Sequence, residues 1–219
     1  MKDILFSLLF TGIFSVLLEG IDVSSYQGSI NWAAVAKTKH FAILRAGTGF
    51  KGVDNKDSKF EDNYRDAKNA GVKVGAYYYS YAQSVEGAKN EANWFLNHLK
   101  DKKFEWPVYY DIEEASQFEA GIHNAIVKAF CSILEAHNYY CGIYASGSRW
   151  SYNFDDEVKT KYTAWVAHWG VSKPSYTGSY AVWQKSSTGS VNGISGAVDL
   201  DESYIDFTPI MSQYSKNGY

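Results

Sequence analysis

The feature that most constrains this fold is a set of eight short runs dense in apolar residues. They lie at 20–24, 41–46, 73–80, 107–113, 140–145, 162–169, 180–184 and 197–200. Most are nearly continuous in apolar character instead of alternating with polar residues. A strand reads that way when both of its faces are covered, as in a parallel sheet flanked by helices. Amphipathic stretches separate the early runs. Phe60, Tyr64 and Ala67 recur at helical spacing, and Gly71 follows where a helix would stop. Ala88, Ala92, Phe95, Leu96 and Leu99 form a second stripe; Ile122, Ile126, Ala129, Phe130, Ile133 and Leu134 form a third. Asn31 is placed to cap a short helix through Val35. Beyond Trp169 the helical spacing disappears, and Pro174, Gly178 and the Ser/Gly-rich stretch 185–196 read as loops. The pattern predicts an α/β fold, an irregular (β/α) TIM-like barrel of eight strands with few helices in its second half. At 219 residues the chain suits one domain of that size.

The first residues stand apart. Lys2 precedes an apolar run from Ile4 to Leu18, interrupted by Ser7, Thr11, Gly12 and Ser15. A charged start and an apolar middle resemble a secretory signal, and about fifteen residues are short for a membrane span. Leu17-Leu18-Glu19-Gly20 is not a small-x-small cleavage pattern. The expectation is a secreted or cell-surface protein, with an uncleaved N-terminal anchor as the alternative. The chain then divides into a leader at 1–18, a catalytic barrel at 19–210 and a C-terminal tail at 211–219, and a monomer is expected.

Charge and cysteine content exclude several functions. The net charge is −3 and no Lys/Arg run occurs, so nucleic acid is excluded as a partner, because phosphate binding needs clustered cations. An anionic surface would likewise have to be recognised by short-range contacts in a cleft. Cys131 and Cys141 are the only cysteines, too few for a disulfide scaffold and without zinc-type Cys/His spacing. Two buried thiols are the plainer reading, and a disulfide between a helix and the strand after it is the alternative. Nothing in the sequence calls for a metal or a cofactor. Aromatic residues reach 17%, with 18 Tyr and 7 Trp. Their flat faces and polar edges suit sugar rings, and they suit a core equally.

In a parallel barrel the working side chains project from the C-terminal ends of the strands. Those ends here carry Asp22, Arg45, Tyr79, Asp111 with Glu113, Tyr144, His168 with Trp169, Gln184 and Asp199. Four carboxylates facing one mouth are costly unless paired or functional. Asp111 and Glu113, two apart on a strand, face the same way while Ile112 packs behind. Adjacent like charges disfavour double ionisation, so one of the two carboxyls should hold its proton. Glycosidic cleavage needs such a group, since the leaving oxygen must be protonated. A capping or salt-bridged pair at a strand-to-loop junction is the plain alternative. If the first and last strands adjoin, Asp22 and Asp199 become neighbours across the closure. Asp201 shares the parity of Asp199 but is expected further out, as a solvated loop acid. Arg45 is placed to hold a carboxylate, either Asp22 or a substrate acid, or to form a structural ion pair at the rim.

Gly20-Ile21-Asp22-Val23-Ser24, the run from Val74 to Ser80, Asp111-Ile112-Glu113, Trp165-Val166-Ala167-His168-Trp169, Trp183-Gln184 and Val198-Asp199-Leu200 together resemble the lysozymes of glycoside hydrolase family 25. Order and spacing match over about residues 19 to 208. The resemblance implies a β-1,4-N-acetylmuramidase that acts on bacterial peptidoglycan, retains configuration and draws on the substrate's own acetamide. It implies Glu113 as general acid, Asp111 as the group orienting the substrate or its acetamide, and Asp22 and Asp199 as tuning acids. Tyr26, Arg45, Tyr79, Tyr144 and Trp169 are candidate substrate contacts, and Gln184 is placed to fix an acid by a hydrogen bond. Tyr26, and Tyr109-Tyr110 before Asp111, stand where the family commonly has Trp. The competing functions are a chitinase-like hydrolase, whose longer acidic strand signature is absent, and a non-catalytic wall-binding barrel, which would tolerate loss of an acid.

Overall fold

The computed structural model describes residues 17–49 and 53–219, so nearly all of the expected leader lies outside the described residues. In chain order the first half comprises β1 (Leu18–Val23), a 3-10 turn (Ser25–Gln27), α1 (Trp32–Val35), β2 (Phe41–Thr48), β3 (Asn55–Lys56), α2 (Phe60–Asn69), β4 (Lys73–Tyr79), α3 (Val85–Leu99) and β5 (Val108–Asp111). There follow α4 (Ala115–Glu119), α5 (His123–Ala136), β6 (Cys141–Ser146), α6 (Gly147–Tyr152), α7 (Asp156–Lys161), β7 (Thr163–Ala167), β8 (Val182–Gly189), β9 (Val198–Ser203) and α8 (Thr208–Gln213).

The three sequence stripes become α2, α3 and α5, which bury Phe60 and Ala67, then Ala88, Ala92, Phe95 and Leu99, then Ile126, Phe130 and Leu134. Asn31 caps α1 by accepting from the Ala34 amide, and Ser84 caps α3 in the same way from Gly87. Helices α6 and α7 escape a spacing rule because each spans only six residues, under two turns.

The strands run in the order β1-β9-β8-β7-β6-β5-β4-β2, and β1 pairs with β2 to close an eight-stranded barrel, with β3 appended outside β2. Strands β1, β2 and β4 to β8 are parallel to their neighbours in that set. Strand β9 is the exception: it runs antiparallel to both β8 and β1. The parallel barrel read from the apolar runs is therefore corrected at one strand. A run of six residues does not report its direction; the loop that leads into it does.

Alternation along each strand sorts the side chains. Ala42, Leu44, Val74, Ala76, Tyr78, Val108, Tyr110, Ile143 and Val166 face outward, into the layer shared with the helices. Phe41, Ile43, Tyr77, Trp106, Tyr109, Tyr144 and Trp165 fill the interior. Phe41 stacks on Trp106 at 4.8 Å, and Trp165 meets Tyr109 at 5.0 Å and Tyr144 at 4.5 Å between ring centroids. Rings this large fit because small residues oppose them. A Cβ on Gly142 would lie 2.5 Å from the Tyr109 ring, and one on Gly20 would lie 2.3 Å from Phe41. The thiols of Cys131 and Cys141, on α5 and β6, are buried and meet at 2.7 Å.

The segment after β9 seals the end of the barrel opposite the C-terminal ends of the parallel strands. Phe207, Ile210 and Met211 cap the aromatic interior from below. Asn217 is fully buried there. Its Oδ1 accepts from the Tyr140 amide at 2.7 Å, and its Nδ2 donates to the Trp106 carbonyl at 2.8 Å. Among the described residues, no helix is long and apolar enough to cross a membrane.

Truncating Asn217 strands a buried amide and a buried carbonyl at once. Each such orphan costs about 1–3 kcal/mol, so Asn217→Ala should lower stability by about 3 kcal/mol. Urea unfolding should show a lower midpoint with an unchanged slope; a shift within error would mean that water replaces both contacts.

Candidate active site

The open end of the barrel is a cavity of about 250 Å³, and all ten residues singled out from the sequence line it: Asp22, Tyr26, Arg45, Tyr79, Asp111, Glu113, Tyr144, Trp169, Gln184 and Asp199. They arrive from all eight barrel strands or the segments just beyond them. Asp22 lies near the end of β1, while Asp111 is the last residue of β5 and Glu113 stands two residues past it. Asp199 reaches the same mouth from the start of β9, not from its end, because that strand runs backwards. Its Cα is paired in register with that of Asp22.

Gln184 organises the centre. Its Nε2 donates to Asp22 Oδ2 at 2.7 Å, and its Oε1 accepts from the Tyr144 hydroxyl at 2.8 Å and from Trp169 Nε1 at 2.9 Å. One buried amide thus fixes an acid, a buried tyrosine and a half-exposed tryptophan. Arg45 takes the second of the two roles its position allowed. Its guanidinium pairs with Asp57 at 2.8 Å and donates to the Ser25 hydroxyl, so it forms a structural ion pair at the rim. Asp57 also accepts from the Ser25 and Lys59 amides, which ties the turn after β1 to the start of α2. Arg45 carries the exposed Tyr26 ring 4.9 Å away and still lowers the proton affinity of Asp111.

The carboxyls differ in environment. Asp22 and Asp111 are buried, and desolvation holds both well above the usual carboxylate range. For Asp22 the charges of Asp201 and Asp199 add to the effect; for Asp111 those of Glu113 and Glu114 do so. Asp111 Oδ1 has no hydrogen-bond partner among the described residues. Desolvation also raises Asp199. Glu113 opens to solvent at the mouth, yet the walls of the cleft partly desolvate it. With the charges of Glu114 and Asp199, this pushes it up to about 7. At neutral pH such a group is close to half protonated, the condition for a proton donor.

Several residues of the site were not singled out from the sequence. Tyr77 and Trp165 form the floor of the cavity, and Gln27 and Ser187 part of its wall. Tyr77 and Trp165 share strand parity with Tyr79 and Ala167, a signal that points inward but does not separate floor from core. Glu114 accepts from the Tyr79 hydroxyl at 2.9 Å. Asp201 corrects an expectation outright. It is 1% exposed rather than solvated. Because β9 is reversed, going two residues beyond Asp199 leads down into the barrel, where Trp165 Nε1 donates to Asp201 Oδ1 at 2.8 Å.

A barrel that gathers buried acids around one half-protonated, accessible glutamic acid and flanks them with exposed aromatic rings has the equipment of a carboxylate-dependent glycoside hydrolase. The sequence profile described as Glycosyl hydrolases family 25 matches residues 21–194, and the chain belongs to that family. It is 33% identical over 185 residues to an autolytic lysozyme of Clostridium acetobutylicum, covering 84% of this chain and 55% of that protein. To lysozyme M1 of Streptomyces globisporus it is 33% identical over 207 residues, covering 84% of this chain and 67% of the relative. The chain thus spans little more than half of the first relative. The crystal structure of a bacterial lysozyme from Streptomyces coelicolor superposes with a TM-score of 0.72 at 29% identity, over 89% of this chain and 95% of that one.

The raised acids set the pH dependence of stability. Glu113 at about 7 and Asp201 at about 8 bind protons in the folded chain that the unfolded chain releases near pH 4. Their contribution to stability is complete below the unfolded value and is lost as pH rises through the folded values. Tm should therefore be higher at pH 6 than at pH 8. A Tm that climbs between pH 6 and 8 would show that other titrations outweigh this cluster.

Proposed function

We propose that the chain is a lysozyme-type muramidase, cleaving the β-1,4 bond between N-acetylmuramic acid and N-acetylglucosamine in peptidoglycan. The observation that carries this reading is Glu113, an accessible carboxyl held at about 7 in a mouth lined by buried acids and exposed aromatic rings. Kinship with two lysozymes, each 33% identical, supports the substrate class.

In this reading Glu113 protonates the leaving oxygen. Asp111, buried beside it with one oxygen unpartnered, orients the substrate's acetamide, whose carbonyl attacks the anomeric carbon from the opposite face. Configuration is retained once water opens the resulting intermediate, with Glu113 now acting as base. Asp22 and Asp199, the latter nearer solvent, set the potential beneath the developing oxocarbenium ion. Tyr26 and Trp169 offer exposed rings for sugar stacking, Trp169 being locked by Gln184. Tyr79, Tyr144 and Arg45 complete the wall. The barrel at 19–210 carries the activity as a monomer, and the substrate requires that it work outside the cytoplasmic membrane, as the apolar leader anticipates.

Fragments released from purified peptidoglycan should carry muramic acid at their reducing ends when examined by mass spectrometry; glucosamine there would replace muramidase with glucosaminidase. Glu113→Gln is isosteric but cannot donate the proton, so kcat should fall by about 10²–10⁴-fold with the fold intact by circular dichroism. Activity retained above a few per cent would remove Glu113 from the acid role. Because the acid must be protonated, kcat/KM should fall as pH rises through about 7. On the acid side it should fall as the aspartates take up protons as a coupled set.

A further inference from the structure

We propose that Glu91 is a positioning residue for the catalytic strand, a buried carboxyl on α3 that fixes, from the helical layer, the end of β5 bearing Asp111 and the segment that follows β4. Its place rests on geometry alone; its effect on turnover rests on the muramidase reading.

Glu91 lies on the buried face of α3, with Ala88, Ala92 and Phe95. It is 5% exposed, and a carboxyl in that place is costly unless it is hydrogen-bonded. Three neutral groups donate to it. Oε1 accepts from the Tyr81 amide at 3.0 Å, and Oε2 accepts from the Tyr110 hydroxyl at 2.6 Å and the Ser80 hydroxyl at 2.9 Å. The two hydroxyls lie 2.7 Å apart, so the donors form one connected network around the acid. Burial raises the proton affinity of Glu91, and the three donors oppose that rise.

Each donor belongs to a segment that shapes the mouth. Tyr110 precedes Asp111 on β5, and strand alternation sends its ring outward while Asp111 lines the cavity. Ser80 and Tyr81 directly follow Tyr79, another residue of the cavity wall. The Ser80 amide donates to the Asp111 carbonyl at 2.9 Å, and Tyr79 is paired in register with Asp111. Gln117 carries the same network past Glu113. It sits fully buried on α4, and its Nε2 donates to the Ser80 hydroxyl at 3.0 Å and the Ala82 carbonyl at 3.2 Å. Asp111 and Glu113 therefore lie between two anchored side chains, Tyr110 before them and Gln117 after.

Glu91 is not part of the cavity wall, so it acts on the reaction through these anchors. Removing its carboxyl strands the buried Tyr81 amide and lets the Ser80 and Tyr110 hydroxyls pair elsewhere. Proton donation depends on where the acid stands, and a misplacement of about 1 Å can cost on the order of 10²-fold in rate. The exposed rings of Tyr26 and Trp169 are held by other contacts, with Arg45 and Gln184. Loss of Glu91 should therefore reach turnover before it reaches binding.

The test separates position from stability. Soluble, uncrosslinked peptidoglycan strands serve as substrate, at a temperature where circular dichroism shows each variant folded. Glu91→Leu should lower kcat at least about tenfold while KM stays within about twofold. Glu91→Gln keeps an acceptor for the Tyr81 amide and can donate to the Tyr110 hydroxyl, so it should recover most of that loss. Asn217→Ala, which weakens the closed end instead, should keep the wild-type kcat. Tyr110→Phe keeps the ring and deletes one donor, which leaves the test open where Glu91→Leu does not fold. It should lower kcat about threefold or more with KM unchanged, and should cost less when added to Glu91→Leu than when made alone, because both cut the same link. A folded Glu91→Leu or a Tyr110→Phe with wild-type kcat would overturn the proposal, as would an equal loss of kcat in Asn217→Ala. A Glu113→Gln variant that stays active would instead overturn the muramidase reading, and the contrast between Glu91→Leu and Glu91→Gln would still be read on whatever bond is cleaved.

Discussion

The site depends on a strand that runs the wrong way. With β9 antiparallel between β8 and β1, its first residues stand at the open mouth and its later ones descend into the barrel. Asp199 and Asp201, two apart, therefore occupy two depths of the same interior face, one at the rim and one beneath Asp22. In an all-parallel closure the second acid would have projected away from the mouth. The reversal also sets the electrostatics, since a carboxyl at the rim can hydrate and a carboxyl below it cannot.

Burying that much acid at one end requires compensation nearby. It comes from neutral donors, not from cations: Gln184 serves Asp22 and Trp165 serves Asp201. The nearest guanidinium, Arg45, is committed to Asp57 at the rim and acts on Asp111 only through its field. A cation inside the cluster would have lowered the proton affinity of every acid there. Keeping it one layer out leaves Glu113 able to hold a proton near neutrality. The aromatic interior contributes as well, because Trp165 is at once core, cavity floor and hydrogen-bond donor.

Much of this was legible in the sequence, and the omissions have physical causes. Continuous apolar runs reveal buried strands, so the barrel and its eight strands could be read, as could the stripes of α2, α3 and α5. Strand parity brought Asp111 and Glu113 to one side, and all ten proposed site residues line one cavity. Direction was not encoded in the run at 197–200, and from that single ambiguity came the misplacement of Asp201. Asp57 was invisible for another reason. It acts on Arg45 through a loop fold 12 residues away in sequence, and no local pattern marks it. Helices α6 and α7 were too short to show a period.

The closed end has a consequence for how this barrel can be attached to anything. Strand β1 enters from that end at Leu18, and Tyr219 bonds to Glu105 beside it, just ahead of β5. Entry and exit of the barrel thus share the face opposite the cleft. A tether, tag or further module joined after Tyr219 would hang behind the barrel and leave the cleft pointing outward. Such an architecture can be fused at its C-terminal end without obstructing the approach of a long, rigid polymer to its mouth.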